Sequence, residues 1–130
     1  MTMLRIIGLG VVCLFFLIGG IGHFTHTERF VSIMPPYVPF HLEAVYISGV
    51  FELLGALGIL WKKTRRIAGI GLFVLVLMVT PANIHMYLNA EQFPDFSMTY
   101  HYIRFAVQLA LLFVIWWSTK PDKNALNPIG

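Results

Sequence analysis

The sequence predicts an all-α fold, a four-helix transmembrane bundle with both termini in the cytoplasm. Three observations predict it. Apolar residues gather into four blocks of about 20 residues, the length a helix needs to cross a bilayer. Only 12% of the 130 residues are charged and 58% are hydrophobic, whereas soluble domains carry about 25% charged residues. The lysines and arginines between the blocks fall almost entirely on one side of the resulting layout. At this length the whole chain, 1–130, reads as a single membrane domain.

The first span covers residues 4–24, interrupted only by Arg5 near its start and His23 near its end. A signal peptide would look similar, but three further apolar blocks follow and Gly20-Ile21-Gly22 is a poor cleavage site. Residues 25–41 connect the first two spans. Pro35, Pro36 and Pro39 exclude a regular helix there. Phe30, Val31, Ile33 and Met34 make this segment apolar enough to lie in the membrane interface or fold back over the bundle. The second span, 42–61, contains the glycine-rich run Ser48 to Gly58 with Glu52 in its middle. A basic turn, Lys62-Lys63-Thr64-Arg65-Arg66, leads to the third span, 67–88, which has Pro81 near its far end. The polar loop 89–99 precedes the fourth span, 100–119, which closes on the interfacial pair Trp116-Trp117. The polar tail, with Pro121 and Pro128, is expected to fray.

Orientation follows from charge. Arg5, Lys62, Lys63, Arg65, Arg66, Lys120 and Lys123 lie on one side; the other has Arg29, and Arg104 lies inside the fourth block. Positive residues stay in the cytoplasm, so both termini belong there. The net charge of +3 therefore reports topology. No aromatic-interleaved basic patch suggests nucleic acid, and the bilayer itself is the expected partner. The single cysteine, Cys13, excludes an intrachain disulfide and a CxxC motif.

The chemistry-bearing residues concentrate on the outer side. His23, His26, His41, His85 and His101 all fall in that half. At about 100° per residue, Ala44, Ser48, Glu52 and Gly55 share one small-residue face of the second span, where helices can approach closely. Phe16, Gly19, Gly20, His23 and His26 share a face of the first span; His101, Arg104 and Gln108 share one of the fourth. The third contributes no such stripe, but Asn83, beyond Pro81, can reach inward. Arg104, Gln108 and Glu52 lie on the order of 6, 12 and 15 Å from the outer end. A lone charge at such depth costs several kcal/mol, so a Glu52–Arg104 pair is predicted, direct or through Gln108. The candidate pocket residues are Glu52, Arg104, Gln108, Asn83, His23 and Ser48. A metal site is not predicted: His23 and His26 are the nearest approach to a ligand pair, and two are too few. A purely structural ion pair and ordinary interfacial histidines would produce the same pattern.

A family resemblance rests on several short motifs in order. They are Gly22-His23-Phe24, the turn Ile33-Met34-Pro35-Pro36-Tyr37-Val38-Pro39, and Ser48-Gly49-Val50-Phe51-Glu52-Leu53-Leu54-Gly55. Thr64-Arg65-Arg66, Pro81-Ala82-Asn83-Ile84, and Arg104 with Gln108 follow. Together they resemble the DoxX family of small bacterial membrane proteins, over nearly the whole chain. The resemblance implies a multi-pass protein of the bacterial plasma (inner) membrane. It also implies a place in a membrane redox system, because founding members of that family resemble subunits of a thiosulfate:quinone oxidoreductase or terminal quinol oxidase. On that reading the chain is an accessory quinone-binding or docking subunit. Its cofactor would be a quinone, and its partners a membrane or extracytoplasmic redox protein and further copies of itself. Glu52 would exchange protons, Gln108, Asn83 and His23 would position a head group, and residues 34–39 would cover the mouth. Two alternatives stay open: a non-enzymatic component that binds or transports a lipid-like or small polar molecule, and a structural subunit with no ligand.

Overall fold

A computed structural model describes residues 2–94 and 96–121. The polar tail expected to fray lies, from residue 122 onward, outside the described residues. Five α-helices are present: α1 (Met3–Thr25), α2 (Thr27–Ser32), α3 (His41–Gly58), α4 (Arg65–Leu88) and α5 (Met98–Ser118). A 3-10 turn, Ala90–Gln92, links α4 to α5, and no strand occurs among the described residues. Two helices start on side-chain caps. The Thr2 hydroxyl accepts from the Arg5 amide at 3.3 Å, and the Ser97 hydroxyl from the Tyr100 amide at 3.1 Å.

The four long helices pack in a ring. α1 lies between α3 and α5, and α4 closes the other side between the same two. Consequently α1 and α4 are diagonal to one another, and so are α3 and α5. Two kinds of interior are stacked along the ring. At the end holding the N-terminus, Leu9, Val12, Cys13 and Phe16 pack with Ala56, Ile59, Leu72, Val76 and Ile115. At the opposite end the buried residues include His23, Glu52, Asn83, His101 and Gln108.

Three helices, α1, α4 and α5, are long and apolar enough to cross a membrane. The outer surface agrees: Ile18, Ile67 and Met78 are 70%, 78% and 70% exposed, on helix faces that carry many other large apolar residues. So much apolar surface is incompatible with water and suited to lipid. The chain is therefore described as a membrane protein. The remaining long helix, α3, has 18 residues, about 27 Å at 1.5 Å per residue. His41, Glu43 and Glu52 dilute its hydropathy.

Two connections differ from the sequence expectation. Residues 25–41 are not wholly irregular, because α2 forms before the prolines begin and packs on α1 and α3. Pro35 is then buried, and the His41 ring Nε2 bonds to its carbonyl at 3.1 Å. The turn returns through Phe40 in the left-handed region, at φ 55°, which costs a non-glycine residue about 1 kcal/mol. The basic turn is also more than a charge signal. Arg65 donates from Nε to the Ile59 carbonyl at 2.7 Å and from Nη2 to Leu60 at 3.2 Å, so it caps α3. Arg66 reaches the Trp116 carbonyl near the end of α5 and lies 4.1 Å over the Trp116 ring.

Candidate functional site

The half of the ring away from the N-terminus contains two separate polar groups. The first joins α1 to α3. His23 Nε2 lies 2.9 Å from Glu52 Oε2, and both residues are 8% exposed. The other ring nitrogen, Nδ1, is 2.9 Å from the carbonyl of Val45, about two turns before Glu52 on α3. Glu52 Oε2 is enclosed and takes no aligned hydrogen bond, so its contact with His23 is electrostatic in character.

Glycines make this approach possible. A Cβ on Gly49 would lie 2.8 Å from His23 Cβ and 2.9 Å from the Phe24 ring. One on Gly20 would lie 2.8 Å from Leu53, and one on Gly19 would lie 3.2 Å from Glu52 Oε1. Small residues on both helices thus let two backbones come close enough for one imidazole to touch both a carbonyl and a carboxyl group of α3. Leu53 is half-buried against Gly20. From above, the Phe30 ring of α2 packs with its centroid 4.0 Å from that of His23. The cover over this site is therefore α2.

A carbonyl oxygen only accepts, so Nδ1 carries a hydrogen and donates it to Val45. Nε2 is thereby the nitrogen that faces the Glu52 carboxyl group, and each ionisable member has its partner beside it in a poorly solvating interior.

The second group joins α4 to α5, and its bonds run in one direction. The Thr80 hydroxyl donates to the Val76 carbonyl at 3.2 Å. Its oxygen accepts from Gln108 Nε2 at 2.5 Å. Gln108 Oε1 accepts from Asn83 Nδ2, and Asn83 Oδ1 accepts from Arg104 Nη2, each at 2.5 Å. Arg104 Nη1 contacts the Met86 sulfur, and its guanidinium lies 5.7 Å from the Tyr100 ring centroid. Because Thr80 has spent its hydrogen on the backbone, both amides are held in one orientation with an oxygen toward Arg104.

The Glu52–Arg104 pair does not form. Glu52 projects from α3 and Arg104 from α5, which are diagonal in the ring, and each finds its partner on an adjacent helix. Helical projection places both residues inward, as found, but does not supply neighbour order. His23, Asn83 and Gln108 are also inward. Ser48 is half-buried on the Glu52 face and joins neither group. His26 is exposed beyond the end of α1, where its Nδ1 meets the Thr25 hydroxyl at 2.9 Å, so it does not converge with His23. No group of three or more His, Cys, Asp or Glu among the described residues is placed to hold a metal. His85 is half-buried beside the Asn89 side chain, away from Asn83.

Three participants escape the sequence reading: Thr80, Met86 and the Val45 carbonyl. Thr80 and Met86 lie at i−3 and i+3 from Asn83, so one helical face would have linked them. An apolar depression of about 280 Å³, lined by Tyr46, Ile47, Val50 and Phe51, lies on the far face of α3 from Glu52 and cannot serve as the polar pocket.

Residues 12–119 match a family model described as Domain of unknown function (DUF8561). No curated protein and no solved structure matches the chain. The matched segment runs from α1 to just past the end of α5 and contains every member of both polar groups. The chain belongs to the family described as Domain of unknown function (DUF8561).

Proposed function

We propose that this chain is a four-span protein of the bacterial inner membrane, with both termini in the cytoplasm, that engages the head of a quinone or a similar amphipathic molecule on its outer side. The observation that carries the reading is the His23–Glu52 pair, a buried acid–imidazole contact anchored on the Val45 carbonyl. Reduction of a quinone carbonyl requires a proton at the oxygen, and a buried acid–imidazole pair is a source and sink for one. The DoxX resemblance supplies the redox context, and the chain would act as an accessory or docking subunit. The fourth span is α3, which completes the ring and carries its acid on an inward face.

The test is direct. Full-length protein, purified from quinone-containing membranes, is extracted, and its quinone content is measured by absorbance and mass spectrometry. Stoichiometric quinone in the wild type, lost in Glu52→Gln with helicity unchanged, is the expected result. Absence of quinone from the wild type, or full retention in Glu52→Gln, overturns the reading.

A second reading has its own support. The approach at Gly20 and Gly49 is so close that the pair also serves to lock α1 to α3. A structural role alone would make the double variant His23→Leu, Glu52→Leu at least as stable as the wild type, with unchanged ligand content.

A further inference from the structure

The second polar group holds a cation with no anion beside it among the described residues. Arg104 presents five N–H donors. Its hydrogen-bonding contacts are one amide oxygen, on Asn83, and one thioether, on Met86. No carboxylate lies within ion-pair distance of it among the described residues. An ionisable residue inside a bundle ordinarily pairs with another ionisable residue or with backbone carbonyls. Here Thr80, Gln108 and Asn83 instead spend their hydrogen bonds on fixing one amide oxygen against the guanidinium. Orientation is supplied, and no described residue compensates the charge.

Two further observations concern access and company. Arg104 is half-buried, so the guanidinium is held but not sealed. One turn nearer the outer end of α5, His101 is 1% exposed and its Nε2 has no hydrogen-bond partner among the described residues. A buried ring nitrogen without a partner is uncommon and needs a reason. His101 and Arg104, three residues apart, share a helix face.

We infer that the α4–α5 group is an oxyanion site, distinct from the His23–Glu52 pair, in which Arg104 is the fork that receives a phosphate or carboxylate group. A planar guanidinium suits the parallel acceptors of such a group, and a preset orientation lowers the entropy lost on binding. The oxyanion comes either from the headgroup of an acidic phospholipid in the outer leaflet or from a soluble anion. His101 is a second contact as the anion enters. Nothing in this depends on quinone binding at the other group.

The experiment uses the full chain in neutral-lipid nanodiscs. Thermal unfolding is followed against inorganic phosphate, with ionic strength held by chloride, and separately against phosphatidylglycerol replacing phosphatidylcholine. A saturable rise in melting temperature is expected, and about tenfold or greater loss of affinity in Arg104→Gln. A rise with phosphate and phosphatidylglycerol alike identifies a soluble oxyanion; a rise with the lipid alone identifies the headgroup. Lys62→Gln with Lys63→Gln, at the opposite end, controls for general attraction to acidic lipid and is expected to leave the Arg104-dependent rise in place. Should Arg104→Gln not fold, Arg104→Lys keeps the charge without the fork, and weakened binding is again expected. No saturable rise in the wild type, or equal affinity in the Arg104 variants, overturns the proposal.

Discussion

The His23 ring bridges two points of α3: Nδ1 faces the Val45 carbonyl and Nε2 faces the Glu52 carboxyl group, each at 2.9 Å. Removing either member therefore does not have the same effect as removing both. His23→Leu leaves an acid enclosed without its partner and is expected to cost about 3 kcal/mol or more. Adding Glu52→Leu should recover most of that loss. Unfolding of the two single variants and the double variant, read as a double-mutant cycle, measures the coupling. Additive losses would mean that the pair contributes nothing as a pair.

The glycines of the α1–α3 crossing are expected to be intolerant in a site-specific way. Gly49→Ala places a methyl group against His23 Cβ and the Phe24 ring. His23 Cβ is fixed to the backbone and the Gly20 carbonyl oxygen lies 3.3 Å away, so neither can move aside cheaply and a loss of about 1–3 kcal/mol is expected. Gly10 and Gly71 have nothing within 4 Å of a new Cβ. Alanine there should be neutral or gain a few tenths of a kcal/mol from helix propensity. Melting temperatures of the three variants in one detergent settle the comparison.

Thr80→Val is nearly isosteric and removes the hydroxyl that orients Gln108. The expected loss is about 1 kcal/mol. Asn83→Leu removes the acceptor of Arg104 and the donor to Gln108 together, and should cost about 2–3 kcal/mol. If Thr80→Val were as damaging as Asn83→Leu, the directional chain of bonds would be the wrong description. Equilibrium unfolding of both variants, alone and with Gln108→Leu, is the measurement.

Membrane sidedness can be read at two exposed positions. Glu28 lies in α2 and Lys63 in the basic turn, on either side of α3. In a Cys13→Ser background, Glu28→Cys should react with an impermeant maleimide only from outside, and Lys63→Cys only from the cytoplasmic side. Labelling of both from the same side would show that α3 does not cross and would reduce the spans to three.

Much of the fold was legible because its causes are local. The long helices begin and end within about three residues of the apolar blocks, since block length, caps and proline breaks act along the chain. The inward orientation of His23, Glu52, Asn83 and Gln108 was legible for the same reason: a helix repeats every 3.6 residues whatever surrounds it. Short α2 was hidden behind the prolines that follow it. The capping role of Arg65 was hidden because basic residues at a membrane end already have a sufficient explanation.

What the sequence by itself determined is an all-helical membrane protein with one apolar half, one polar half, and a short list of residues facing inward. What only the tertiary structure decided is who meets whom. An acid and an arginine in one bundle suggest a pair by charge alone, but the ring places α3 and α5 on a diagonal. Close approach at Gly19, Gly20 and Gly49 gives Glu52 to His23, and the neighbouring face of α4 gives Arg104 to Asn83. Ion pairs and hydrogen bonds act over a few ångströms, and helix periodicity carries no information about distances between helices.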